Sequence, residues 1–408
     1  MQSSRRAVII GAGISGILTA RRLLLEGWDV TVLEAEHVGA GSSSRTAAGI
    51  RQQFSTLGTV RGMRFAVQFY ERFAREVEGG EPVIAQNGYL FLYDDPQRYA
   101  VAKDLVGLQR QAGLHEVEAL DAAELRARFP QADGETLVGG TWCPTDGFLR
   151  PALVYNEGAR RVSELGGVIR QRSPVRSAEV VNGRVVALVT PQGRVEGDVF
   201  FDCTNAWTNQ LSAVLGTTRI PMTPLRRYLW IVARGESVSA EEFAAWPMII
   251  SPSGAYGRPE NADSLLMGWS HHDEVHEGFS REDQDEVPPQ YSHQGGFEAR
   301  PYLAWEQMCE ACSVIGEFDG VTASTAGYYA TTPDHNPYLG FDPNLSNVIR
   351  LVGFSGHGAM FGPFTAEVGM HLAEAGTDVA QVTLDTGEVP LAEFAFGRDT
   401  SRHEALVI

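Results

Sequence analysis

Apolar and polar positions follow two rhythms along this chain, one of strands and one of helices. Ala7 to Ile10 is an unbroken apolar run, as a strand buried on both faces requires. Ile14, Ile17, Leu18 and Leu24 then recur on one helical stripe until Gly27 ends the period. Trp28–Leu33 is a second apolar strand, closed by Glu34. Pro151–Leu165 has the spacing of an amphipathic helix. "SPVRSAEVVNGRVVALVTPQGRVEGDVFFDC" alternates as strands do, with turns at Asn182-Gly183 and Gln192-Gly193. Its end, Asp198–Cys203, returns as an apolar strand to the first sheet. "MIISPSGAYGRPENADSLLMGWS" predicts two strands around a polar turn. "VGFSGHGAMFGPFTAEVGMHLAE" predicts a Gly-rich turn entering a helix.

The first strand, turn, helix and second strand carry a chemical pattern. Gly11, Gly13 and Gly16 form G-x-G-x-x-G between strand and helix. Gly11 makes the turn, Gly13 lets backbone approach a pyrophosphate, and Gly16 lets helix and strand pack closely. Ile14 and Ser15 open the helix, whose N-terminus offers unpaired N–H groups to phosphate. Glu34 stands 18 positions after Gly16, where a carboxylate accepts ribose hydroxyls. It would repel a 2′-phosphate, which leaves FAD or NAD.

The next stretch, "HVGAGSSSRTAAGIRQQF", separates those two. A second small-residue loop directly after Glu34 lets backbone surround a further part of a large cofactor. NAD needs only the first loop; FAD runs on toward its isoalloxazine.

Composition narrows the class. A chain of 408 residues predicts two domains. Its 43% hydrophobic and 21% charged residues are those of a globular protein. No apolar run reaches the roughly 18 residues of a membrane span. The run after Arg5 and Arg6 is too short for a signal peptide, so a cytoplasmic protein is expected. A net charge of −18 argues against nucleic acid. Cys143, Cys203, Cys309 and Cys312 make no disulfide framework, and Cys309 and Cys312 are expected one turn apart on a helix. The acidic, histidine-bearing run "HHDEVHEGFSREDQDEVPPQ" reads as a solvated loop, and no metal site is expected.

Four blocks together resemble a known family: "VIIGAGISGILTARRLLLEGWDVTVLEAE", "GAGSSSRTAAGIRQQF", the stretch from "DGFLRPALVYNEGARR" through "DCTNAWTNQL", and "AGYYATTPDHNPYLGFDPNLSNVIRLVGFSGHGAMFGPFTAEVG". The chain resembles the D-amino-acid oxidase superfamily of FAD enzymes, in its sarcosine-oxidase-like and glycine-oxidase-like branch, over nearly its whole length. The resemblance implies an α/β fold, with a Rossmann-like FAD-binding domain interleaved with an α+β substrate domain built on an antiparallel sheet. The FAD domain would take residues 1–80, 140–215 and 325–380. The substrate domain would take 81–139 and 216–324, with 381–408 as a C-terminal extension.

The resemblance also implies roles. Gly41, Ser42, Ser43, Arg45, Thr46, Ala47, Ala48 and Gly49, with Ala35, would admit the cofactor. Val175 would contact adenine through its backbone, and Thr204, Asn205 and Trp207 would cover the pyrophosphate. The family usually has Gly at Asn205. Gly353, Gly356, His357, Gly358, Ala359 and Met360 would approach the flavin, His357 through its backbone, with the helix dipole stabilising the reduced ring's negative charge. Arg51 would hold a substrate carboxylate with its planar fork. Tyr256 and Tyr329 would line the substrate cavity, and His271 or His272 falls near a family histidine.

The implied reaction oxidises the C–N bond of an amino acid or secondary amine by hydride transfer to flavin N5, giving an imine that hydrolyses, with oxygen or another acceptor taking the electrons. Met360 and Leu266 replace two family lysines, so a substrate more apolar than N-methylglycine and slow reaction with oxygen are expected. Gly327 stands at the covalent flavin-cysteine position, and "SSSRTAAG" has no histidine, so FAD is expected to be non-covalent. The alternative is a largely non-catalytic flavoprotein, or a subunit of a heteromeric amine dehydrogenase or assembly complex.

Overall fold

The computed structural model describes residues 5–270 and 279–406. Two sheets organise it, and each is drawn from separated parts of the chain. The first has six strands in the order Tyr338–Phe341, Val348–Val352, Val199–Asp202, Arg6–Ile10, Asp29–Leu33 and Val168–Arg170. All neighbours run parallel except Tyr338–Phe341. Ala7 pairs with both Val30 and Val199, so the apolar run near the N-terminus is the centre of the sheet. Burial on both faces is why that run shows no alternation.

The helices Ile14–Leu25, Leu57–Glu71, Pro151–Glu164 and Gly358–Ala375 supply side chains to the core over this sheet. Gly362 lies against Ile14 and Leu18, where a Cβ would come within 2.7 Å of Ile14. Gly16 is tighter still: a Cβ there would stand 2.0 Å from the Gly11 carbonyl oxygen. Backbone cannot yield as a flexible side chain can. Gly16→Ala should therefore drive the first helix off its strand and leave protein that folds poorly and takes up no FAD. Wild-type flavin content in a soluble Gly16→Ala variant would refute the packing argument.

The second sheet has eight strands: Gly320–Thr331, Thr223–Ala233, Ser264–Trp269, Ala255–Asn261, Met248–Ile250, Tyr89–Tyr93, Gly139–Cys143 and Glu118–Asp121. It is antiparallel except where Met248–Ile250 runs parallel to Tyr89–Tyr93. Its two faces differ. Tyr228, Trp230 and Val232 join Met308 and Ala304 of the helix Arg300–Ala311 in one core. Leu229, with Tyr89, Tyr256 and Leu266, forms the other face together with Ala47. The segment 248–270 makes three strands rather than two around one turn. Ser251 to Gly254 closes a tight turn of its own, with the Ser251 N–H donating to the Ala255 carbonyl (2.8 Å), so Met248–Ile250 is cut off as a separate strand.

A three-stranded meander, Ser177–Val181, Arg184–Thr190 and Gly193–Glu196, follows the turn residues. Asn182 and Gly183 both have positive φ, as a type I′ turn demands. Cys309 lies on the helix Arg300–Ala311, Cys312 ends that helix, and neither forms a disulfide. A hairpin of Gln381–Leu384 and Gly387–Pro390 precedes the C-terminal tail. Among the described residues, no helix is long and apolar enough to cross a membrane.

Candidate active site

An elongated cavity of about 330 Å³ opens at the C-terminal ends of the parallel strands. Gly11, Gly13, Ile14 and Ser15 line it at the start of the first helix. Neither that helix nor Gly358–Ala375, whose Gly358 and Ala359 also line the cavity, has a side-chain cap of its own. Two helix N-termini thus meet one cavity, a site built for negative charge. Ser43 Oγ accepts from the Ile14 N–H (3.0 Å), which ties the second small-residue loop onto the first. A Cβ on Gly13 would stand 2.9 Å from that oxygen.

Glu34 is 8% exposed and accepts from the Ala12 N–H (2.8 Å) and the Glu36 N–H (2.9 Å). Its carboxylate is oriented before any ligand arrives. Ala35, Gly41, Ser42, Arg45, Thr46, Val175, Thr204, Asn205, Trp207 and Gly356 complete the expected lining residues. Arg45 pairs with Asp285 (Nη2–Oδ2 2.8 Å). Asn205 has φ of 47°, in the left-handed region that favours glycine. Asn tolerates that region, and its Oδ1 accepts from the Gly353 and Phe354 N–H groups (3.0 and 3.3 Å). The Asn205 side chain thus stitches its own turn to the Gly-rich turn.

Gly16, Ala47, Ala48, Gly49, Arg51, Tyr256, Gly353, His357 and Met360 do not line the cavity. Gly16 and Gly353 act in packing and turning, with φ of 82° at Gly353. Ala47, Ala48 and Gly49 sit behind the loop, where Tyr89 lies against Gly49. Met360, 5% exposed, points into the core beside Phe354 and Phe361, because one step along the helix from Ala359 turns a side chain away from the cavity. His271 and His272 lie outside the described residues.

Tyr329 lines the cavity, so close to Gly356 that a Cβ there would lie 2.3 Å from its ring. Tyr256 is buried beside it, and burial holds its phenol protonated far beyond neutral pH, with Tyr329 adding to the effect. Arg51 is fully buried, with its guanidinium 4.0 Å from the Phe54 ring centroid. It donates to the carbonyls of Gln53 and Leu406. Its Nε has no hydrogen-bond partner among the described residues. Nη2 faces His357 Nε2 at 3.3 Å. A guanidinium only donates, so this geometry needs an unprotonated Nε2, and burial next to Arg51 holds His357 neutral, its pKa well below the usual range.

Comparison with known proteins identifies the architecture. A match to the family described as FAD-dependent oxidoreductase (DAO) covers residues 6–372. The chain belongs to the DAO family of FAD-dependent oxidoreductases. It is 26% identical to the crystal structure of L-proline dehydrogenase from P. horikoshii, with a TM-score of 0.79 over 93% of this chain and 95% of that one. Glycine oxidase from Geobacillus kaustophilus shares the fold at 19% identity, with a TM-score of 0.77 over 97% of this chain and all of that one (100%). The chain is 24% identical to the bovine (Bos taurus) FAD-dependent oxidoreductase domain-containing protein 1, over 97% of this chain and 86% of that protein. It is also 24% identical to human mitochondrial sarcosine dehydrogenase, over 89% of this chain but only 39% of that longer protein.

This DAO-family site fits FAD on its own donor set: a fixed carboxylate, two helix N-termini without side-chain caps, and glycines where backbone must come close. Several of its lining residues carried no pattern in the sequence. Ser173 and Arg176 lie beside Val175 in the chain, and only that nearness pointed to them; Gln210 and Val214, on the helix Thr208–Leu215, line the same cavity. Arg281 reaches the cavity from the far side, bonded to Glu36 (3.1 Å) with its guanidinium 4.8 Å from the Trp207 ring centroid. No local signal marks it.

Asp146 sits beneath Arg51, 0% exposed, and accepts from Gln52 N–H (2.8 Å), Gln52 Nε2 (3.0 Å) and Gln53 Nε2 (3.1 Å). Burial outweighs these donors and lifts its pKa from 3.8 to about 6. A carboxyl raised on folding binds its proton more tightly in the native state. Folding stability attributable to Asp146 therefore rises as pH falls through about 6 and levels off near the unfolded value of 3.8. Asp146→Asn should abolish this component, roughly 3 kcal/mol across the window. Denaturant melts of parent and variant whose difference stays constant between about pH 7.5 and 4 would refute it.

Proposed function

We propose that this FAD-dependent oxidoreductase oxidises the C–N bond of an amino acid or secondary amine that carries a carboxylate, giving an imine that hydrolyses. The observation that carries the reading is Arg51, a buried guanidinium whose Nε has no hydrogen-bond partner among the described residues and whose Nη2 faces His357, the residue just before the helix whose Gly358 and Ala359 line the cofactor cavity. FAD, when bound along that cavity, supplies the two-electron acceptor for the hydrogen on the carbon beside nitrogen.

The chain's own residues bind, orient and exclude water. Arg51 offers a planar fork to the carboxylate. Tyr256, kept protonated, donates hydrogen bonds rather than abstracting protons. His357, neutral and turned toward Arg51, is likewise spent on orientation. With no strong base presented, the amine must arrive with its lone pair free, and turnover should rise with pH as the substrate amine deprotonates. The sheet face of Leu229, Tyr256 and Leu266 keeps the region apolar and dry.

A Cβ at Gly327 would lie 2.6 Å from the Arg45 carbonyl, so no cysteine fits there; this supports non-covalent FAD. The interleaved domains and a cytoplasmic location belong to the same proposal. The two sheets drawn from alternating segments support the first. The test is anaerobic: the FAD-loaded protein is mixed with a panel of primary and N-alkylated amino acids, and bleaching of the flavin band is followed. At least one carboxylate-bearing amine should bleach it. If none does, the catalytic reading fails and the non-catalytic one takes its place. The rate at which oxygen restores the colour then separates oxidase from dehydrogenase.

A further inference from the structure

Besides Gln53 and His357, Arg51 meets the chain's own C-terminal tail. Arg51 Nη2 donates to the peptide carbonyl of Leu406, 355 residues further along the chain. The tail is pinned nearby by one buried carboxylate. Glu404, 4% exposed, accepts through Oε1 from the Ser55 N–H (2.9 Å) and the Leu406 N–H (3.1 Å). The Ala405 N–H donates to Ser55 Oγ (3.1 Å), and the Glu404 N–H to the Asp334 carbonyl (3.2 Å). Upstream, Arg398 clamps on Asp334 at 2.6 Å. Between that clamp and Leu406 the chain buries almost nothing else, since Ser401, Arg402, His403 and Ala405 are exposed. A segment held by a few polar contacts, with no apolar anchor, opens at low free-energy cost.

We propose that residues 401–406 form a displaceable wall of the substrate-carboxylate subsite, in which the Leu406 carbonyl stands where a carboxylate oxygen binds, and that this wall sets the specificity for carboxylate-bearing amines. A carboxylate is a charged, bidentate acceptor and outcompetes one neutral carbonyl for the guanidinium. An amine without a carboxylate offers nothing better than Leu406 and leaves the wall closed. The selectivity therefore comes from a resident competitor as well as from Arg51 itself. The inference rests on the reading of Arg51 as the carboxylate anchor.

The test uses the FAD-loaded full chain, with benzoate as probe and benzamide as its neutral isostere. Two quantities are read: the perturbation of the flavin absorbance, and hydrogen exchange of the Glu404, Ala405 and Leu406 amides. Benzoate should speed exchange of those amides while benzamide leaves it unchanged. A chain ending at Thr400 should bind benzoate roughly ten- to hundredfold more tightly, the equivalent of one charged hydrogen bond that no longer has to be displaced. Glu404→Ala, which frees the tail without removing it, should shift affinity in the same direction and serves if the shortened chain does not fold. Equal benzoate affinity in parent and variants, with tail exchange unmoved, overturns the inference and leaves the Arg51 reading standing. If benzoate perturbs the flavin of neither, both fall.

Discussion

Arg51→Ala should weaken a carboxylate-bearing substrate by roughly 2–5 kcal/mol, the usual cost of removing one partner from a buried charged contact. The loss should appear in kcat/KM for carboxylate substrates and be small for an ester or amide of the same amine. Arg51→Lys should recover only part of it, because an ammonium keeps the charge but lacks the planar fork. The geometry supports the size of the effect. The guanidinium is fully buried, packs on Phe54, and has its Nε unpaired among the described residues. Steady-state kinetics with an acid and its methyl ester check this directly. Equal losses for both would mean that Arg51 holds the fold and not the substrate.

Arg350→Met should destabilise the protein by about 3–5 kcal/mol, because it strands two buried carboxylates at once. Arg350 is 0% exposed. It lies 2.8 Å from Asp202 and 2.9 Å from Asp342, and donates to the Thr218 carbonyl at 3.0 Å. Asp202 in turn accepts from the N–H (2.9 Å) and hydroxyl (2.6 Å) of Thr204, which lines the cofactor cavity. The damage should therefore spread to FAD affinity. Denaturant unfolding and flavin retention measure the two effects separately. A variant as stable as the parent would show that the cluster contributes no net stability, as happens when desolvation cancels attraction in a buried ion pair.

Much of the cofactor cradle was legible because it is local. Gly11, Gly13, Gly16 and Glu34 lie within one strand-turn-helix-strand unit, and sterics alone assign each glycine its place. The eight-stranded sheet was legible only in pieces. The split of 248–270 into three strands depended on a second polar turn, "SPSG", whose strength alternation does not measure. The Arg350 cluster left no trace in the pattern: Asp202 and Arg350 are adjacent in register only because two distant strands pair. Met360 shows the same limit in reverse. Its helix was recognisable, but which way the residue faced depended on how the helix is rotated against the core that holds Phe54 and Phe354.

The sequence by itself determined the Rossmann-like start and the FAD preference that follows from Glu34 and the small-residue loop. These depend on backbone sterics and charge over a few turns of chain. Tertiary structure alone decided what meets Arg51. Neutral His357, buried Asp146 and the carbonyl of Leu406 come from three remote segments. Only the folded chain supplies the low-dielectric burial that fixes their protonation and makes each contact count.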